Sequence, residues 1–163
     1  MLTFLSSYGF TIVLLGLGAT LFMDVWAWLQ QRLLRAPSLS YALVGRWLGH
    51  MSHGQLRHHP IMAAAPIKHE HALGWLCHYA IGVLFSGLHL AFFGPAWLDQ
   101  PTLWPALVSG LLSLAAPFFI LQPCFGFGFA AAKTPKPWLA RLKSTVAHTV
   151  FGLGLYLTAW LLA

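Results

Sequence analysis

A chain of 163 residues with 58% hydrophobic and only 7% charged side chains, at a mean hydropathy of +0.71, excludes an ordinary soluble domain, which carries about 25% charge. The formal net charge of +6 does not point to nucleic acid, because the nine Lys and Arg lie between hydrophobic segments and form no basic face. Cys77 and Cys124 have no CxxC spacing, which argues against a disulfide framework or a Cys-rich zinc site; both read as small apolar fillers.

The first predicted span runs from about Tyr8 to Leu29. The preceding MLTFLSSYGF lacks a basic region and Asp24 interrupts the apolar run after it, so it reads as a retained span and not a cleaved signal peptide. Gly16, Gly18, Ala19 and Thr20 offer small residues for close helix contact, within the chain or in a homodimer. Gln30, Gln31, Arg32 and Arg35 end the span. Pro37 and the serines at 38 and 40 break the chain and can cap a short helix, Tyr41 to Met51. Its Leu43, Val44, Trp47, Leu48 and Met51 fall to one side and Arg46 with His50 to another, the pattern of a helix lying in the membrane interface.

A polar, Pro-punctuated loop leads to the second span, about 72–93, and closes a connection that covers 30–71. On a helix, His71, Gly74, His78, Gly82, Phe85, Ser86 and His89 form one stripe opposite Leu, Ile, Val and Ala. A short turn follows from Gly94 to Pro101, with Thr102 as a cap. The third span covers about 103–123, and Pro117 and Pro123 predict kinks. Whether it stops at Gln122 or continues through CFGFGFAAA, the sequence leaves open. The fourth span runs over about 143–162.

Charge orients these spans. Arg32, Arg35, Arg46, Arg57 and Lys68 lie between the first two, and Lys133, Lys136, Arg141 and Lys143 between the last two. Both basic loops should face the cytoplasm, with both termini outside. The expected fold is therefore all-α, a four-helix transmembrane bundle in a single domain, with a short cytoplasmic interfacial helix. Spans two and four both read His-x-x-x-Gly, at His78/Gly82 and His148/Gly152; a tandem repeat of two hairpins is one reading and chance the other.

The polar residues inside the spans carry the functional expectation. At ~1.5 Å per residue, Asp24, His78 and His148 each lie roughly 7–9 Å inside the cytoplasmic boundary, and Gln122 at a similar level if the third span ends near Pro123. An ionised Asp in a bilayer costs about 2.5–3.5 kcal/mol, so Asp24 should face the bundle and have a partner, which a His ring supplies. The plain alternative is interhelical glue. Two His and a carboxylate are also the ligand set of a non-haem iron or zinc site, two His suit a b-type haem, and the trio suits a proton relay. Six of nine histidines (50, 53, 58, 59, 69 and 71) lie in the connection before or at the second span. There HMSH (His50 and His53) and HEH (His69 and His71) have ligand-like spacing and Glu70 adds a carboxylate, against the plainer readings of headgroup-facing histidines and a Glu70 that complements a helix N-terminus. GFGFAAA lacks the strand and βαβ context of a dinucleotide loop.

The blocks GATLFMDVWAW, SYALVGRWLGHM, GWLCHYAIGVLF, PTLWPALVSGLL, APFFILQPCFGFG and HTVFGLGLYL resemble a family of small bacterial membrane proteins known only as a domain of unknown function. The resemblance implies a four-span protein of the bacterial inner membrane, and it implies no activity. The residues themselves point to small-solute or ion transport or ligand binding through Asp24, His78, His148 and Gln122. A membrane redox protein or enzyme using haem, another metal, quinone or a lipid-like substrate is the alternative, and a structural subunit the third.

Overall fold

The four long apolar segments expected from the sequence fold into helices. The structure, a computed structural model, covers residues 2–35 and 40–163; Pro37 and Ser38, expected from the sequence to break the chain, lie outside these. The long helices are α1 (Leu2–Leu34), α3 (Glu70–Phe93), α4 (Leu103–Leu112) with its continuation α5 (Gln122–Cys124), and α6 (Pro137–Leu162). Between the first two stands α2 (Tyr41–Met51), the short helix expected from the sequence. No strand occurs among the described residues. Four stretches, Ser6–Leu33, Glu70–Phe93, Leu103–Cys124 and Pro137–Leu162, are long and apolar enough to cross a membrane.

The helices outrun the apolar runs that foretold them. α1 continues through Gln30, Gln31 and Arg32, which are good helix formers, so polarity ends the span but not the helix. α6 begins at Pro137, six residues before the expected start, because proline suits the first helical position, where no N–H is needed.

Prolines shape the third span as expected, with one refinement. After α4 a turn leads into five residues of π-helix, Pro117–Leu121, closed by the Gln122 N–H on the Pro117 carbonyl. Pro117 has no N–H for the Ser113 carbonyl, and a wider turn absorbs the mismatch. Helix then lasts to Cys124. The chain turns at Gly126 and Gly128, with φ of +85° and +74°, into a 3-10 turn at Phe129–Ala131. The apolar CFGFGFAAA therefore does not extend the helix.

The chain forms two compact units. The first comprises residues 1–37, 79–113 and 147–163. Its core is Ile12, Leu15, Ala19, Leu90, Trp97, Ala106, Phe151, Leu155 and Ala159. Two helix crossings within it are tight enough to require glycine. At the first, a side chain on Gly16 would strike the Val83 backbone, and one on Gly82 would strike Thr20. At the second, Gly110 faces the His148 carbonyl and Gly152, while Gly152 faces the Ala106 carbonyl. Each His-x-x-x-Gly span thus meets the span before it at a pair of glycines. Gly18, a candidate for homodimer contact from the sequence, faces Thr158 of the same chain.

The second unit comprises residues 38–78 and 114–146. Val44, Ile61 and Phe125 form its core, with Trp47, Leu48, Leu121 and Phe127 packed around them. α2 lies against the start of α3 backbone to backbone, since a side chain on Gly45 would strike the Glu70 carbonyl and one on Gly74 the Tyr41 carbonyl. Arg46 then forms a two-pronged pair with Glu70, Nε to Oε2 and Nη2 to Oε1, both at 2.9 Å. Its Nη1 donates to the Ala64 carbonyl at 3.1 Å, and Glu70 also accepts the Ile67 N–H at 3.1 Å. Ser40 sits at the N-cap of α2 and Thr102 at that of α4, yet neither side chain caps its helix.

Candidate functional site

Within the first unit, α4 and its C-cap present two hydroxyls, Ser109 and Ser113, four residues apart and hence on one face, about 6 Å apart along the axis. Each holds a histidine from a different helix. Ser109 Oγ lies 2.7 Å from His89 Nδ1 of α3, and Ser113 Oγ lies 2.6 Å from His148 Nδ1 of α6. Ser113 also donates its hydroxyl hydrogen to the Gly110 carbonyl at 2.6 Å. Its oxygen therefore accepts from His148, which places a proton on His148 Nδ1. The glycine crossing is what brings His148 this close to α4, because the Gly110 surface meets the His148 backbone directly.

His89 is 1% exposed. Its ring stands edge-to-face on Trp97, centroids 4.2 Å apart, with Phe93 at 5.2 Å, and its Nε2 is buried with no hydrogen-bond partner. Trp97 is fixed in turn by donating its Nε1 hydrogen to the Thr102 carbonyl at 3.2 Å.

Asp24 of α1 is half-buried and accepts a hydrogen bond from the Tyr79 hydroxyl of α3. One turn earlier, buried Thr20 donates to the Gly16 carbonyl at 2.7 Å. The carboxylate does face protein and does have a partner, and the partner found is a phenol, one residue along α3 from the expected His78.

In the second unit, the His78 ring stacks on Tyr41 with centroids 4.1 Å apart and also meets Trp75 at 5.9 Å. Gln122 opens α5; its carbonyl accepts the Phe127 N–H at 2.8 Å, and its Oε1 is buried without a hydrogen-bond partner. Glu70 is committed to Arg46. His53 Nδ1 lies 3.0 Å from the Gly49 carbonyl and 3.1 Å from Ser52 Oγ. His50 Nε2 lies 2.9 Å from the Ala65 carbonyl. Among the described residues, no group of three or more His, Cys, Asp or Glu side chains stands ready to hold a metal ion.

Four apolar spans with ionisable groups tied between them can now be set beside known proteins. The DUF2938 family, described as a protein of unknown function, matches residues 13–162. The chain belongs to that family. No curated protein and no solved structure matches it.

In this DUF2938 chain, the sequence pointed to Asp24 and His148 but missed their hydroxyl partners, and it did not single out His89 as a site residue. Ser109 and Ser113 were legible only as small residues of an apolar span, although their i,i+4 spacing was the available signal. Tyr79 was hidden beside the more conspicuous His78. His89 was placed on the right stripe of α3, but nothing in its neighbours in sequence foretold the Ser109 contact.

Proposed function

We propose that this DUF2938 protein is a transport or ligand-binding protein that handles a proton or a small protonatable solute through ionisable groups held between its spans. The observation that carries the reading is the pair of hydroxyl–imidazole contacts on one face of α4, Ser109 with His89 and Ser113 with His148. Imidazole takes and releases protons near neutral pH, and a hydroxyl passes them on as both donor and acceptor. Asp24 with Tyr79 adds a carboxylate from α1 within the same unit. Ionisable groups inside spans are costly to insert, which favours a working role over packing alone. His78 and Gln122, expected in the same set from their depth in the sequence, belong to the second unit and are not used in this reading.

The test is proton flux into liposomes that carry the purified full chain and an internal pH-sensitive dye. Wild-type protein should raise flux above protein-free liposomes, and Asp24→Asn and His148→Gln should each return it close to background. Ser113→Ala removes a bond between helices worth about 0.6–1.7 kcal/mol, so it should slow flux while the fold survives. Equal flux in wild type and both ionisable-group variants, or none in wild type, overturns the reading.

The proposed setting is the bacterial inner membrane with both termini outside, supported by the basic residues of the two connecting loops. Reporter fusions after residue 100 and after residue 136 should then report outside and inside respectively. A shared side for both would end this orientation.

A further inference from the structure

The segment joining α2 to α3 contains two histidines that the intramembrane reading leaves unused. His50 lies in the last turn of α2, and His58 follows in the loop. Their rings approach to 5.2 Å between centroids at 69°. His58 is 3% exposed and is held by the turn after α5. Its N–H donates to the Cys124 carbonyl at 2.8 Å, and its carbonyl lies where a side chain on Gly126 would otherwise sit.

Backbone carbonyls fix both tautomers. His50 Nε2 faces the Ala65 carbonyl, which can only accept, so Nε2 carries the hydrogen and Nδ1 the lone pair. The Gln55 carbonyl accepts a hydrogen bond from the His58 ring, whose Nε2 is buried without a partner. The hydrogen of His58 is therefore on Nδ1, and the lone pair on Nε2 points into the protein unsatisfied. A buried acceptor left in that condition has given up its hydrogen bond to water with nothing in exchange. Neither Asp nor Glu accounts for it, and a proton would add charge to a ring that burial already disfavours.

We propose that His50 Nδ1 and His58 Nε2 form a two-histidine site for a divalent d-block cation of the zinc class, the remaining positions being filled by water or an incoming ligand. Three observations converge on it. Metal-binding histidines donate their other ring N–H to a carbonyl or carboxylate, as both rings do here. Two imidazoles bound at ~2.0–2.1 Å to one tetrahedral ion have centroids about 5 Å apart, close to the separation found. The orphaned nitrogen is itself a ligand atom. With two protein ligands only, the site is open and exchangeable, suited to passing an ion on and not to holding a structural one. It stands on different residues from the intramembrane pairs, so the flux experiment can fail without touching it.

The experiment is zinc binding to the full chain purified without a histidine tag, read by elemental content after dialysis and by cobalt(II) absorption displaced by zinc. Wild type should hold one ion, as should His53→Gln and His59→Gln, whose side chains are exposed controls. His50→Gln and His58→Gln should each weaken binding by more than about tenfold, since loss of even an outer-shell partner costs 10–100-fold. His50 is only half-buried, so its variant decides the matter if the His58 variant does not fold. Absence of binding in wild type overturns the site. Undiminished binding in His50→Gln, or an equal loss in His53→Gln or His59→Gln, does so as well.

Discussion

Arg46→Ala is expected to cost about 2–3 kcal/mol of stability, and Arg46→Lys most of that. The guanidinium and the Glu70 carboxylate are each 13% exposed, between a surface pair worth about 0–1 kcal/mol and a buried one whose rupture costs about 3–5. More than the ion pair is lost. Arg46 also donates to the Ala64 carbonyl, so it fastens α2 both to the first turn of α3 and to the loop between them. Lysine supplies a charge but not the planar fork that meets Oε1 and Oε2 together. Glu70→Gln should be milder, because an amide oxygen can still take the Ile67 N–H. In a double-mutant cycle the coupling of Arg46 and Glu70 should fall within about 0.5–3 kcal/mol. Thermal unfolding in detergent measures all four proteins, and additive effects would refute the pairing.

Bulk at the α4–α6 crossing should be the most damaging change in the first unit. Gly110→Val and Gly152→Val each place carbon where the other helix's backbone already lies, against the His148 and Ala106 carbonyls respectively. Overpacking a side-chain core costs typically about 1–3 kcal/mol; here backbone and not a flexible side chain must yield, so more than about 3 kcal/mol is expected. The same substitutions push His148 off Ser113, so they should remove flux as well as stability. Gly9→Ala is the contrast, because nothing stands within 4 Å of a side chain there and alanine favours helix by about 0.5–1 kcal/mol. Unfolding midpoints that rank the three variants alike would contradict the crossing.

These features differ in how plainly the sequence announced them. α2 was legible to the residue, because its apolar side repeats with the helical period while serine and a polar loop bracket it. The small residues of α1 were legible as contact positions, and Gly16, Gly18, Ala19 and Thr20 all meet other helices of the chain. The ends of α1 and α6 were not, since hydropathy marks where apolar side chains stop while propensity lets the backbone continue. The end of the third span needed the π turn, a backbone response that Pro117 permits but does not spell out. Partner choice was the least legible. Asp24 called for a hydrogen-bond donor, yet a register difference of one residue on α3 separates Tyr79 from His78. Cross-helix hydroxyls leave no periodic trace.

The way α2 and its loop are anchored has a consequence for biosynthesis. The His58 and Ile61 N–H groups bond to the carbonyls of Cys124 and Phe125, at 2.8 and 3.0 Å, across more than sixty residues of chain. The ribosome must therefore finish the third span before this segment finds its acceptors. Until then α2 can pack on the first turns of α3 and on its own loop, but the His58 and Ile61 N–H groups lack these acceptors. Nascent chains stalled short of residue 124 should be cut by protease between residues 52 and 69. The released full-length chain should be protected there, which makes this loop a clock for the folding of the second unit.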